Sequence, residues 1–385
     1  MEPPPHGLPS RILPRLADAN PAAWNALTGG AFPFLRHEFL AAQEEQGCLS
    51  RRIGWEPHHL TIEDANGQLL AACPMYRKHN SFGEFVFDWA WAEAYERAGL
   101  DYYPKLVVAA PFTPATGPRL LIRPEARTAA LEAELLNLAV ETARAADVSS
   151  LHWLFATDAA LLESPLLLKR VGCQFHWENR GYDSFEDFLA ELKSRRRKEI
   201  LRERKAVREA GIELERRLGK DIEPDLWRII HELYCGTFAK YGNYPAMTEG
   251  FFRDIAATMG EQVMVVLARR RGDIIGAAYF LVGRDSLYGR YWGGAEDVPD
   301  LHFEACYYQG IEFCIETGLC RFEPGAQGEH KISRGFLPTR TWSLHWIARP
   351  EFRRAIARFL ERETLAMDTH IAELQARSPY KHPPC

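Results

Sequence analysis

The sequence predicts an α/β protein with mixed central sheets flanked by helices, laid out as two similar halves in tandem. Three observations carry this reading. The chain has 385 residues, too many for one typical core and right for two of average size. The same order of elements can be read twice along it. The matching elements also share particular residues, not only a type.

Taken in order, Pro21-Ala22-Ala23-Trp24 opens a helix, and Pro224-Asp225-Leu226-Trp227 opens its counterpart. A second helix follows in each half, Pro33 then Phe39-Leu40 then Gly47 in one, and Pro245 then Phe251-Phe252 then Gly260 in the other. A hairpin comes next. His59–Glu63 and Gln68–Tyr76 flank Asn66-Gly67, while Val263–Ala268 and Asp273–Val282 flank Arg271-Gly272. Gly67-Gln68-Leu69-Leu70-Ala71-Ala72 aligns with Gly272-Asp273-Ile274-Ile275-Gly276-Ala277. Then come a strand (Lys105–Ala110; Ser286–Gly293), a long helix (Glu125–Ala146; Phe303–Thr317) and a short strand (Leu151–Phe155; Cys320–Glu323). Each half closes on a strand ending His-Trp, at His176-Trp177 and His345-Trp346.

The joint between the halves reads as one Arg/Lys/Glu-rich helix, Phe185–Gly211, capped by Asp183 or Ser184 and ended by Gly211. The boundary falls near residue 181, giving halves 1–180 and 181–385. A last amphipathic helix, Pro350–Arg377, is expected to pack across the second half.

Composition narrows the function classes. Hydrophobic residues make up 46% and charged residues 26%, ordinary globular values. A net charge of −5 argues against general nucleic-acid binding, so any basic partner surface is local. Within the joint helix, Lys193–Arg208 concentrates Lys193, Arg195, Arg196, Arg197, Lys198, Arg202, Arg204, Lys205 and Arg208 against Glu199 and Glu203. That excess suits a phosphate-rich partner, tRNA among them. The eight cysteines show no CxxC pair and read as reduced core residues; Cys306, Cys314, Cys320 and His302 lack zinc-site spacing, so no metal is expected. Met1–His6 does not read as a signal peptide, and no window approaches the roughly 20 apolar residues a bilayer span needs. A cytoplasmic location is the expectation.

The order of elements resembles the GNAT acyltransferase fold. Two such halves joined by a basic helix resemble the FemAB-like branch, the peptidoglycan-bridge peptidyltransferases and their relatives. Val107–Leu121 with Pro111-Phe112-Thr113-Pro114, then Gln174-Phe175-His176-Trp177, then Phe322–Phe336 are similar to the predicted N-acyltransferases of the peptidoglycan biosynthesis/recognition type. The resemblance covers nearly the whole chain. It implies tandem GNAT-like domains and transfer of an acyl or aminoacyl group, from acyl-CoA or aminoacyl-tRNA, to an amine acceptor such as a cell-wall precursor. A GNAT fold binds its donor where two parallel strands part, with the pyrophosphate at backbone N–H groups. The usual Gln/Arg-x-x-Gly-x-Gly/Ala loop is missing from both halves. The first half offers Thr113, Gly117 and Arg119 as cofactor contacts, and the second offers an acidic loop with Glu296, Asp297 and Asp300 that would repel a phosphate.

The densest chemistry lies in Glu323-Pro324-Gly325-Ala326-Gln327-Gly328-Glu329-His330-Lys331, directly after a predicted buried strand. Glu323 is the candidate general base, His330 the alternative base or shuttle, and Gln327 a carbonyl-orienting group. Lys331 and Arg334 are candidates to hold a carboxylate or phosphate. In the first half Tyr76, Lys78, Asp88 and Trp91, among other interleaved aromatics and charges, suit a groove for an extended acceptor. The counterpart of the glycine-rich run, Ala156-Thr157-Asp158, leads into a plain apolar helix. That asymmetry makes the second half the expected catalytic one. The rival reading is a non-catalytic module that recognises peptidoglycan peptides or precursors through the aromatic groove.

Overall fold

Arg271 and Gly272 both take positive φ, 54° and 91°, as a two-residue type I′ turn requires. They join Val263–Arg270 to Asp273–Val282 in an antiparallel hairpin. The corresponding turn at Asn66-Gly67 is held by the Asp64 carboxylate, which accepts from Asn66 N and Gln68 N at 2.8 Å each. Helices start where a hydroxyl can accept: Thr128, Ser184 and Thr248 each take the backbone N–H three residues on.

The computed structural model describes residues 8–326 and 328–382. The chain divides into one unit of 1–172 with 341–367 and another of 173–340 with 368–385. The expected break near residue 181 thus falls earlier, inside the strand Leu168–Glu178, and the chain re-enters the first unit through Leu337–Ile347. The first two-thirds of the terminal helix Pro350–Ala376 therefore belong to the first unit and not, as expected, to the second. Its Ile356 and Leu360 pack there on Trp91, Tyr95 and Tyr102.

In the first unit, Ser10–Leu13, His59–Glu63, Leu69–Cys73 and Leu121–Ile122 form an antiparallel sheet. A second sheet runs from 341–347 through Ser150–Leu154, Lys105–Val108 and Met75–Lys78 to Trp55–Pro57. Its Lys105–Val108 and Ser150–Leu154 strands are parallel. The strand expected over Gln68–Tyr76 is broken by Pro74, which cannot donate to a ladder. The helix Ala129–Ala145 buries Leu131, Leu135, Leu136, Ala139, Val140 and Ala143 along one stripe against this unit's core.

In the second unit, Ile212–Leu218, Val263–Arg270, Asp273–Val282 and Ser286–Gly294 form an antiparallel meander. Ser286–Gly294 then pairs in parallel with Arg321–Glu323, which pairs antiparallel with 177–178. Helices Leu226–Lys240 and Gln309–Thr317 pack on this sheet. The joint helix is two helices, Phe185–Glu191 and Ser194–Glu209. Leu192 is fully buried and bridges Tyr380, and Lys193 N donates to Pro379 O at 2.9 Å, so a tertiary contact breaks the helix without Pro or Gly. Gly211 ends the second helix at φ 70°, as expected of a glycine there.

Candidate active site

Two parallel strands of the second unit stay in register at Ser286↔Arg321, Leu287↔Phe322 and Tyr288↔Glu323, and no further. Past this point one edge continues as Gly289–Trp292 and the other turns away at Pro324. A small cleft of about 110 Å³ opens between them. Its walls are Tyr279, Phe280, Gly289–Trp292, Pro324 and the helix residues His302, Cys306 and Tyr307. Where Ser286–Gly294 pairs with its other neighbour the register slips: Phe280 faces Gly289 but Tyr279 faces Tyr291. Arg290 is the extra residue of a β-bulge on the cleft wall.

The helix on that wall is irregular in a way that serves the cleft. Leu301–Phe303 is followed by a π turn, Glu304–Tyr308, before Gln309–Thr317 continues as regular helix. A π turn repeats every five residues or so, and it brings His302 beside Tyr307, ring centroids 5.3 Å apart. Both side chains then line the cleft. The Tyr307 hydroxyl lies 3.0 Å from His330 Nε2. His330 itself faces solvent. Burial, then Lys331 and Arg334, hold its pKa below the usual histidine value, so the ring is neutral at pH 7 and able to take a proton. Burial of His302, with His330, Lys331 and Arg334 nearby, lowers its pKa to about 4. Tyr307 is pushed in the other direction, chiefly by burial, and keeps its proton.

Behind this wall the segment Glu329–Arg334 is tied down. Lys331 Nζ donates to Gly325 O at 2.8 Å, and burial lowers its pKa to about 8. Arg334 donates to Glu203 at 2.7 Å and to Tyr308 Oη at 3.1 Å, and stacks 3.5 Å from the Phe303 ring centroid. Tyr308 in turn donates to Glu203. Glu203 comes from the basic helix, so that helix and the glycine-rich turn are joined through one buried ion pair. Arg204 on the next position clamps Glu304 and Glu312, at 3.1 Å and 2.8 Å, and so fixes the π turn.

The glycine-rich run is thus near the cleft, but its residues divide. His330 reaches the cleft through Tyr307. Lys331 and Arg334, expected to hold a carboxylate or phosphate, are buried in bonds to the protein itself and act as supports. Glu323, the expected base, is not on the cleft wall. Its neighbour Pro324 is, and alternation along the strand sends the Glu323 carboxylate the other way, to 3.8 Å from His176 Nε2. Gln327 lies outside the described residues. Tyr307 had no signal in the sequence, and His302 entered only in a set without zinc-site spacing, because a spacing of five puts two residues on one face only where the helix is a π turn.

The first-unit candidates are corrected by burial. Tyr76, Lys78, Asp88 and Trp91 are enclosed and cannot line an open groove. Lys78 Nζ donates to Phe82 O at 2.9 Å and sits 3.9 Å from the Trp55 ring centroid. Asp88 accepts from Lys105 Nζ, from Tyr102 Oη and from Ser81 Oγ, the last two at 2.5 Å. Lys105 also reaches Glu84 at 2.9 Å. Two buried rings complete the cluster, His152 Nδ1 hydrogen-bonded to His345 Nδ1. Burial first, and Lys105 next, lowers the His152 pKa to about 3, so it stays neutral.

Thr113, Gly117 and Arg119, expected to meet a cofactor, fill the place where the first unit's own parallel strands end. Gly117 N donates to Phe155 O at 3.0 Å, and Thr157 N to Gly117 O at 3.1 Å. A side chain on Gly117 would meet the Phe32 ring at 2.7 Å. Arg119 is fully buried and spends its guanidinium on Leu154 O, Ala115 O and Pro118 O, at 2.6, 2.9 and 2.8 Å. Thr113 Oγ1 donates to Pro111 O at 2.9 Å. The protein's own backbone occupies in the first unit what is open in the second. Among the described residues no group of three His, Cys, Asp or Glu side chains is placed to hold a metal ion. The seven described cysteines are free thiols.

A family profile for peptidoglycan biosynthesis/recognition matches residues 15–382. The chain belongs to the FemAB-like family. No curated protein matches it in sequence. Among solved structures, the C-terminal domain of a putative lysylphosphatidylglycerol synthetase from Agrobacterium fabrum superposes with TM-score 0.54 at 10% identity, over 91% of this chain and 98% of that one. A conserved protein of unknown function from Bacteroides thetaiotaomicron gives 0.50 at 10%, over 89% and 100%. FemX gives 0.47 at 11%, over 80% and 92%. At such identities the likeness concerns the fold alone, mixed sheets flanked by helices. No helix among the described residues is long and apolar enough to cross a membrane.

Proposed function

We propose that this FemAB-like chain is an N-acyltransferase whose second unit moves an acyl or aminoacyl group onto an amine acceptor, with a cell-wall precursor as the acceptor class. One observation carries the reading: parallel strands part into a cleft lined by Tyr307, whose hydroxyl lies 3.0 Å from Nε2 of a solvent-facing neutral histidine, His330. The amine nitrogen attacks the activated carbonyl carbon. Tyr307 takes the proton that the amine sheds while passing its own to His330. The backbone of the bulge at Gly289–Tyr291 supplies the N–H contact to the oxyanion. The C–S bond of a CoA thioester, or the ester C–O bond of an aminoacyl-tRNA, then breaks, and the leaving thiolate or alkoxide takes the proton back from His330 through Tyr307. Glu323 has a supporting role, behind the strand end and beside His176.

The donor is a CoA thioester or an aminoacyl-tRNA. The loop after Ser286–Gly294 carries Glu296 and Asp297, paired with Arg270 and Lys240, and offers a pyrophosphate no cationic cradle. Exposed Lys193, Arg195, Lys198, Arg202 and Arg208 on the basic segment favour a polyphosphate chain held outside the cleft.

Purified protein mixed with a panel of both donors and several amines should release free CoA or free tRNA. Tyr307→Phe and His330→Gln should each lower the transfer rate by about 10²-fold or more, since a positioned acid–base group contributes on that order. Wild-type rates in both variants would remove the proposed relay. Thermal stabilisation by muropeptides, with no transfer from any donor, would instead make the chain a binding module.

A further inference from the structure

In the first unit, the segment Ser81–Trp89 is turned inside out. Its two carboxylates, Glu84 and Asp88, are 3% and 2% exposed and are held inward by Lys105. Its aromatics point to water: Phe82 is 66% exposed, Phe85 42%, Phe87 52% and Trp89 54%. Rings of Phe82 and Phe87 lie 6.4 and 5.5 Å from that of Trp89, so they form one patch. Phe85 has φ 59°, a left-handed conformation that bulky residues avoid. The segment is fixed from below at several points. Phe82 O accepts from Lys78 Nζ and Trp55 Nε1, and Phe87 O accepts from Arg170 at 2.7 Å. A soluble fold gains nothing by burying charges in order to expose three phenylalanines and a tryptophan, so the patch needs a partner to cover it.

The charges around the patch identify that partner. None of the segment's own acids faces solvent. The turn that carries exposed Arg51 and Arg52 is tied to the segment, because Asn80 Nδ2 donates to Ile53 O at 3.2 Å and Asn80 Oδ1 accepts from Phe82 N at 3.0 Å. Further out, Glu56 is paired with His79 at 2.9 Å and Glu93 with Arg97 at 3.7 Å, while Glu96 is exposed on the helix that begins at Trp89. Phenylalanine and tryptophan side chains rimmed by arginine match the boundary between acyl chains and anionic headgroups. We infer that Ser81–Trp89 is a membrane-docking loop, which seats this unit on an anionic lipid surface without spanning it.

Co-sedimentation of the full chain with phosphatidylcholine vesicles, with and without phosphatidylglycerol, tests this. Wild type should sediment with the phosphatidylglycerol vesicles and release with salt. The triple variant Phe82→Ser, Phe87→Ser, Trp89→Ser should bind at least about tenfold more weakly, and Arg51→Ser with Arg52→Ser should each cost roughly fivefold. Quenching of tryptophan fluorescence by brominated lipid gives a reading on the unmutated protein, and quenching is expected. No sedimentation and no quenching by wild type would overturn the inference, as would equal binding by the triple variant. Self-association of wild type without vesicles, lost in the triple variant, would assign the patch to a second copy of the chain instead.

Discussion

His176 and His152 are imidazoles whose pKa burial lowers to about 3, and both stay uncharged at neutral pH. For His176 the further causes are Arg321 and Lys331. A depressed histidine pKa means that the unfolded chain binds the extra proton between about pH 6.5 and the folded value, so stability is lost as pH falls through that window. Wild type is therefore expected to lose up to about 1.4 kcal/mol per pH unit relative to His176→Gln between pH 6 and 4. Urea unfolding of both proteins across that range measures it, and parallel pH profiles would show that His176 is not held neutral. The sequence marked this residue in one of two His-Trp repeats and in a motif of the family resemblance, not as a titrating group. It marked His330 as a candidate, but His330 meets the cleft wall through Tyr307, whose position there depends on a helical irregularity that no residue spacing announces.

At the scale of elements, most strands and helices were legible because turns and caps are local. Asn66-Gly67, Arg271-Gly272, Ser184 and Gly211 each do what their chemistry dictates. The misreadings are tertiary. Burial of Leu192 split the joint helix, and the loop Ser81–Trp89 reversed the usual sense of burial because Lys105, distant in sequence, draws Glu84 and Asp88 inward. Close packing gives a direct test of the second unit. A methyl group on Gly293 would meet the Leu233 backbone at 2.3 Å, where helix Leu226–Lys240 crosses the strand that borders the cleft. Gly293→Ala should destabilise the protein by roughly 1–3 kcal/mol, the usual range for overpacking. It should also weaken donor binding, because the helix must retreat. An unchanged melting temperature would show that the two elements are not in contact.

For the whole molecule, a repeated order of seven elements was legible, and that order of helices and strands is the one the fold has. The division of the chain was less legible. Each long strand, Leu168–Glu178 and Leu337–Ile347, belongs partly to one unit and partly to the other, and hydrophobic alternation does not reveal such sharing. The units then differ in structure at this place. The first has its parallel-strand end filled by Ala115–Arg119 and carries an exposed aromatic loop. The second keeps an open cleft with a hydroxyl and an imidazole in hydrogen-bond reach. The most direct measurement is photolabelling of the full chain with a photoreactive acyl-CoA or aminoacyl-tRNA, whichever supports transfer, followed by mapping of the labelled peptide. Label on Gly289–Trp292 or His302–Tyr307 is the expected result. Label confined to the first unit, around Thr113–Arg119, would contradict the assignment of catalysis to the second.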